Sequence, residues 1–210
     1  MNCNPAAQAV FTAAAGLITN AVGNKPNNSP YVKFTAKASA AAGGKVKVDC
    51  GANVGCSAGL GRTTCTDIKF EQPGCDAGRG AHELIHCLGF DHPMGRNDVA
   101  KYITVDRTKI QPNAVTQWDR LADDPNTVWT DLGLFDYGSI MMYRPMTSFR
   151  TVAAVNANEP CMTVVPYTRW FFGLFKWNKS ALRIQQETAA MGNRAALSVQ
   201  DIAMIKLAYP

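Results

Sequence analysis

The segment HELIHCLGFDH, from His82 to His92, contains every histidine of the chain and restricts its fold more than any other stretch. From Asp76 onward Ala81, Leu84, Ile85 and Leu88 recur at helical spacing, and Gly89 is placed to stop a helix in a left-handed turn. On such a helix His82 and His86 lie one turn apart on one face, so both imidazoles can point at a single ion, with Glu83 flanking that stripe. A reversal at Gly89 and the short Phe90-Asp91 link bring His92 round as a third nitrogen, leaving the fourth position of a tetrahedral metal open. Two histidines alone would be ordinary helix side chains as readily as ligands, but a third after a glycine makes that account poor. A structural zinc site is also a poor match, because such sites use four protein ligands and favour cysteine. The expected cofactor is therefore one catalytic Zn2+, with Glu83 as general base to a water whose pKa the metal brings to about 7.

The rest of the composition bounds the setting. A chain of 210 residues is long enough for one domain or for two lobes sharing a cleft, and 47% hydrophobic with 18% charged residues is globular usage. The net charge of +5 is mild and its Lys and Arg residues are scattered, so nucleic acid is not an expected partner. No uninterrupted apolar run approaches the roughly 18 residues that span a bilayer, and the first twenty lack the basic and apolar regions of a signal peptide. Seven cysteines favour an oxidising, secreted setting and disulfides over a cysteine-zinc site. Cys87, on an apolar helix face, is the candidate for the odd, free thiol.

Along the chain, Asn4-Pro5 reads as a cap and first position of a helix that ends near Gly23. Tyr31 to Lys37 and Lys45 to Asp49 read as adjacent strands joined by a turn at Ala40 to Gly44. Cys50 to Gly61 reads as loop and Thr63 to Phe70 as a strand. From Pro93 to Pro160 turn signals dominate and largely irregular chain is expected. Ser198 and Asp201 form a capping-box-like start for a last helix carrying Val199, Ile202, Ala203 and Ile205.

The extended motif His-Glu-x-x-His-x-x-Gly-x-x-His is that of the metzincins, and the residues beyond it resemble one family among them, the astacins. Arg96-Asn97-Asp98 and Tyr102-Ile103-Thr104-Val105 continue the family pattern, FDYGSIMMY matches its Met-turn, and MGNRAALSVQDIAMIKLAYP resembles its C-terminal segment. The likeness runs from about Tyr31 to Pro210. It implies an α+β, zincin-like two-lobed fold, with a twisted N-terminal sheet and helices in a lobe of residues 1–92. An irregular C-terminal lobe of 93–210 would end in a helix, with the cleft between the lobes and one peptidase domain overall. It implies a zinc endopeptidase acting on polypeptides. Tyr143 would be an extra zinc ligand at rest and a hydrogen-bond donor to the tetrahedral intermediate, and Met141 an apolar floor under the metal.

The resemblance also implies a Cys56 to Cys75 disulfide, with Cys50–Cys65 and Cys3–Cys161 as possible further pairs. Pro93 stands where the family has a glutamate that receives the processed N-terminus, Val99 where an arginine is usual, and Met142 where a histidine often precedes the tyrosine. The segment Thr168 to Ala189, with WFFGLFKW, is longer and more aromatic than its counterpart. A packed loop, a substrate subsite and a membrane contact stay open for it. Arg169 and Arg194 are candidates for favouring acidic substrate side chains. A zinc-binding protein without proteolysis, and a hydrolase of non-peptide amides or esters, are the competing functions.

Overall fold

A computed structural model describes residues 3–35, 46–120, 130–170 and 175–210. Two compact units form, Met1–Asp91 together with Arg194–Pro210, and His92–Asn193.

In the first unit α1 (Pro5–Val22) begins where the Asn4 side chain accepts the Ala7 N–H, and it ends at Gly23 with φ 71°. By length and hydropathy alone α1 would also suffice to cross a bilayer. Its buried positions, Ala7, Phe11, Ala14, Ile18 and Val22, recur instead at the three- and four-residue spacing of a core stripe. That stripe packs against α2 (Ala77–Cys87) and the last helix, α5 (Val199–Ala208). Gly80 allows the approach of α1, since a Cβ there would lie 2.8 Å from that of Ala14 and 2.9 Å from the Phe70 ring. Both caps expected for α5 are formed: Asp201 N–H donates to Ser198 Oγ and Ser198 N–H to Asp201 Oδ2.

The sheet of this unit holds β1 (Lys47–Asp49), β2 (Cys56–Ala58) and β3 (Asp67–Phe70) in the order β1-β3-β2, with β1 parallel and β2 antiparallel to β3. Ile68 and Phe70 on β3 are fully buried. Strand β2 corrects the reading of Cys50 to Gly61 as loop: Gly55, at φ 71°, turns the chain so that its carbonyl accepts Glu71 N–H at 2.9 Å and Cys56 falls opposite Phe70. Strand β3 is shorter than expected because Thr64 and Cys65 N–H donate to Gly61 O in a turn. Residues 31–35 form no ladder. A bridge between Asn24 and Pro30 closes a turn there, and the Tyr31 ring receives the Lys25 and Lys206 ammonium groups. The end of that expected strand, the Ala40 to Gly44 turn and Lys45 lie outside the described residues.

Three disulfides join Cys3–Cys50, Cys56–Cys75 and Cys65–Cys87, and the free cysteine is Cys161. The Cys56 to Cys75 bridge is the expected one. The other expected pairs and the free Cys87 are corrected. The end of α2 sets Cys87 with its Cα 5.1 Å from that of Cys65, while Cys161 is wholly buried in the core of the second unit beside Met162.

That second core also contains Met94, Ile103, Ile110, Trp118 and Met142. The elements around it are short, as the turn signals imply. Among the described residues they include four 3-10 turns, a pair β4 (Ile103–Val105) and β5 (Met162–Val164), and α3 (Val152–Asn156). The aromatic segment opens as an antiparallel hairpin, β6 (Tyr167–Trp170) with β7 (Phe175–Asn178), its connecting residues 171–174 lying outside the description. On β7, Phe175 is 60% and Trp177 79% exposed. The following α4 (Ala181–Ala190) has no fully buried residue, but its Ile184 is partly buried against the second core. Glu187 accepts from Lys179 Nζ at 2.6 Å and from Arg183 Nε at 2.9 Å.

Candidate metal centre

The site is built on α2. Asp76 caps the helix by accepting Arg79 N–H at 2.8 Å, and Gly78 lets the Arg194 backbone lie against its first turn, where a Cβ would meet the Arg194 carbonyl. The helix then passes through His82, Glu83 and His86, all less than a tenth exposed. The two imidazoles, one turn apart, stand edge to face with centroids 4.7 Å apart.

The helix ends in a double hydrogen-bonded turn. Gly89, at φ 95°, donates its N–H to His86 O at 2.8 Å, and Phe90 N–H donates to Ile85 O at 3.3 Å. This turn carries the Phe90 carbonyl back over the helix end, where it lies 2.9 Å from His86 Nδ1. With Nδ1–H donated there, Nε2 is the nitrogen left to act as ligand, a second partner fixing the tautomer of the first. Each of His82, His86 and His92 offers one nitrogen, and these atoms all lie within 4.8 Å of one another. Three buried imidazoles so gathered fit one zinc ion by ligand type and number.

Glu83 is 6% exposed, and burial pushes its carboxyl up to about 7, against which Arg194 pulls it down. A dication nearby acts in the same direction as Arg194 and favours the carboxylate. Arg194 thus belongs to the electrostatics of Glu83, a role the sequence did not suggest. The Arg169 side chain lies outside the described residues.

Tyr143 follows a tight turn in which Met141 N–H donates to Ser139 Oγ and Met142 N–H to Ser139 O, both at 3.0 Å. Ser139, Ile140, Met141 and Met142 are all buried, so the turn projects from a packed base. The Tyr143 ring stands 4.4 Å from the His92 ring, flanked by Trp118 and Phe149, and its hydroxyl donates to Gln117 Oε1 at 3.2 Å. Gln117, Trp118 and Phe149 belong to no spacing pattern, and sequence reasoning had no signal for them. Pro93 is buried as the first residue of a 3-10 turn (Pro93–Gly95), a position that needs no N–H.

The profile of the Astacin peptidase family matches residues 9–168. Zinc metalloproteinase nas-31 of Caenorhabditis elegans is 37% identical over 91 residues, which cover 42% of this chain and 14% of that protein. Astacin-like metalloprotease toxin 5 of Loxosceles gaucho is 33% identical over 95 residues, covering 45% of this chain and 50% of that one. The chain therefore spans at most half the length of these two relatives. Among solved structures, high choriolytic enzyme 1, a hatching enzyme zinc-protease from the medaka Oryzias latipes, aligns with a TM-score of 0.67 at 21% identity. That alignment covers 99% of this chain and 84% of that one, and the likeness is one of fold.

Proposed function

The chain belongs to the astacin family of peptidases, and from that premise we propose that it is a secreted, zinc-dependent endopeptidase hydrolysing peptide bonds of proteins. The observation that carries the reading is the convergence of the nitrogens of His82, His86 and His92 within 4.8 Å, on and just beyond a helix that also buries Glu83. Zinc, held by those three imidazoles, supplies a Lewis acid for the scissile carbonyl and lowers the pKa of water to about 7.

The remaining work falls to side chains. Glu83 accepts the proton of the attacking water on its carboxylate and returns it to the departing amide nitrogen, so no covalent intermediate with the enzyme is needed. Burial of Glu83 keeps bulk water from levelling this transfer, and Arg194 helps hold the carboxylate ionised beforehand. Tyr143, beside His92, exchanges its hydrogen bond to Gln117 for one to the oxygen that gains negative charge in the tetrahedral intermediate. The three disulfides suit an oxidising, extracellular setting.

The test is chelation followed by titration with zinc, assayed in parallel on an unfolded protein and on a panel of small esters and non-peptide amides. The expected outcome is loss of protein cleavage on chelation and its return at about one zinc per chain, with the small substrates spared throughout. Turnover of the esters alone would assign the site to a different hydrolase, and zinc binding without any cleavage would leave a non-proteolytic metal protein.

A further inference from the structure

The turn formed by residues 61–65 reaches the metal helix at its last turn, and does so twice. Gly61 N–H donates to His86 O at 2.9 Å, and Cys65 is disulfide-bonded to Cys87, the residue directly after His86. The turn is itself closed, with Cys65 N–H donating to Gly61 O at 2.7 Å, so the two attachments move as one body. His86 O is thereby shared between Gly61 N–H and Gly89 N–H, the latter being half of the turn that presents the Phe90 carbonyl to His86 Nδ1. Two residues beyond His86, Leu88 O accepts the Tyr209 hydroxyl at 2.5 Å. Both cysteines are buried, Cys65 at 4% and Cys87 at 7% exposure.

A helix end is ordinarily its most mobile part, because its last carbonyls lack intrahelical partners. Here the second imidazole of the metal set lies in that end, and its ring is oriented by a carbonyl beyond it. Any fraying from Cys87 to Phe90 would withdraw the Phe90 carbonyl and release the ring. The covalent bond at Cys87 and the hydrogen bond at His86 both oppose that fraying.

We propose that the 61–65 turn is a positioning clamp for His86, and that the Cys65–Cys87 disulfide preorganises the metal site in addition to stabilising the fold. The proposal rests on His86 being a zinc ligand. Neither cysteine touches the metal; they act through the helix end, in the way that partners of metal-bound histidines set affinity.

The test compares zinc dissociation constants, measured by competition with a chromophoric chelator, for the unmodified protein, C65A/C87A and C3A/C50A. The last variant removes a disulfide with no bond to α2 and controls for lost stability. The expected result is zinc binding weaker by about tenfold or more in C65A/C87A, with C3A/C50A close to the unmodified protein although less stable. In metal-free protein, nitrogen NMR of His86 should report the Nδ1–H tautomer in the unmodified chain and a mixture in C65A/C87A. Equal affinity and an unchanged tautomer in C65A/C87A would overturn the clamp, and equal weakening in both variants would reduce it to a stability effect. Failure of the unmodified protein to bind zinc would instead overturn the functional reading on which the clamp depends.

Should C65A/C87A not fold, hydrogen exchange on the unmodified metal-free protein decides. Gly61 and Gly89 amides as slow as those in the middle of α2 support the clamp. Exchange at the rate of exposed loops refutes it.

Discussion

Tyr143 is held on three sides by rings, those of His92, Trp118 and Phe149, and at its tip by Gln117. A side chain so enclosed keeps its position when its hydroxyl is removed, so Tyr143→Phe isolates the hydrogen bond. Steady-state kinetics should show kcat reduced about 10²-fold with KM little changed and zinc content unaltered, the pattern of an interaction made in the transition state. A rise in KM alone would assign the hydroxyl to substrate binding. Cys161 makes a second residue-scale case. Burial pushes its thiol pKa up, which holds the residue in its unreactive form. Thiol titration should find no accessible thiol in the native protein and one per chain in denaturant. A native, rapidly titrating thiol would contradict the disulfide pairing described above.

At the scale of elements, α2 was legible because its signals are local: the apolar repeat from Ala81 through Leu88, and Gly89 as stop. The strands were harder. Gly55 and Gly61 look alike in sequence, yet one opens β2 and the other closes the turn that shortens β3. What separates them is the pairing of Cys56 with Phe70 and the hydrogen bonds to Gly61 O, neither of which is local information. The same limit hid the partner of Cys87, since a helix end gives no sign of what will lie beside it. Helix α4 was not legible because none of its residues is fully buried and it meets the second core through Ile184, with no apolar stripe to mark it.

Two substitutions test these elements. Gly80→Ala should lower unfolding free energy by about 1–3 kcal/mol, because α1 and Phe70 occupy the space its Cβ needs. Chemical denaturation measures this, and an unchanged midpoint would mean that the two helices do not meet closely at Gly80. Lys179→Met should cost about 1.5–3 kcal/mol, since the ammonium, 3% exposed, is paired with Glu187 at 2.6 Å and also donates to the Tyr137 hydroxyl, while Arg183 remains to pair Glu187. A variant as stable as the unmodified protein would show that Arg183 alone suffices for Glu187.

At the scale of the whole molecule, the two units are stabilised differently. All three disulfides lie in the first unit, spanning 47, 19 and 22 residues, and by chain entropy each contributes about 3–4 kcal/mol. Among the described residues the second unit has no disulfide and depends on its apolar core, in which the Trp118 indole N–H donates to Met162 Sδ at 3.0 Å. The family motif singled out the three clustered histidines and the tyrosine, but not this division of stabilising forces, which depends on cysteine pairing across tens of residues.

The account turns on Glu83 acting as the base of a zinc peptidase, and cleavage of an unfolded protein by Glu83→Gln at measured zinc content tests that most directly. The substitution keeps the size of the side chain and removes its capacity to take a proton at neutral pH. The account predicts about one zinc per chain in both proteins and cleavage by the unmodified one alone; equal cleavage by the two at equal zinc content would contradict it.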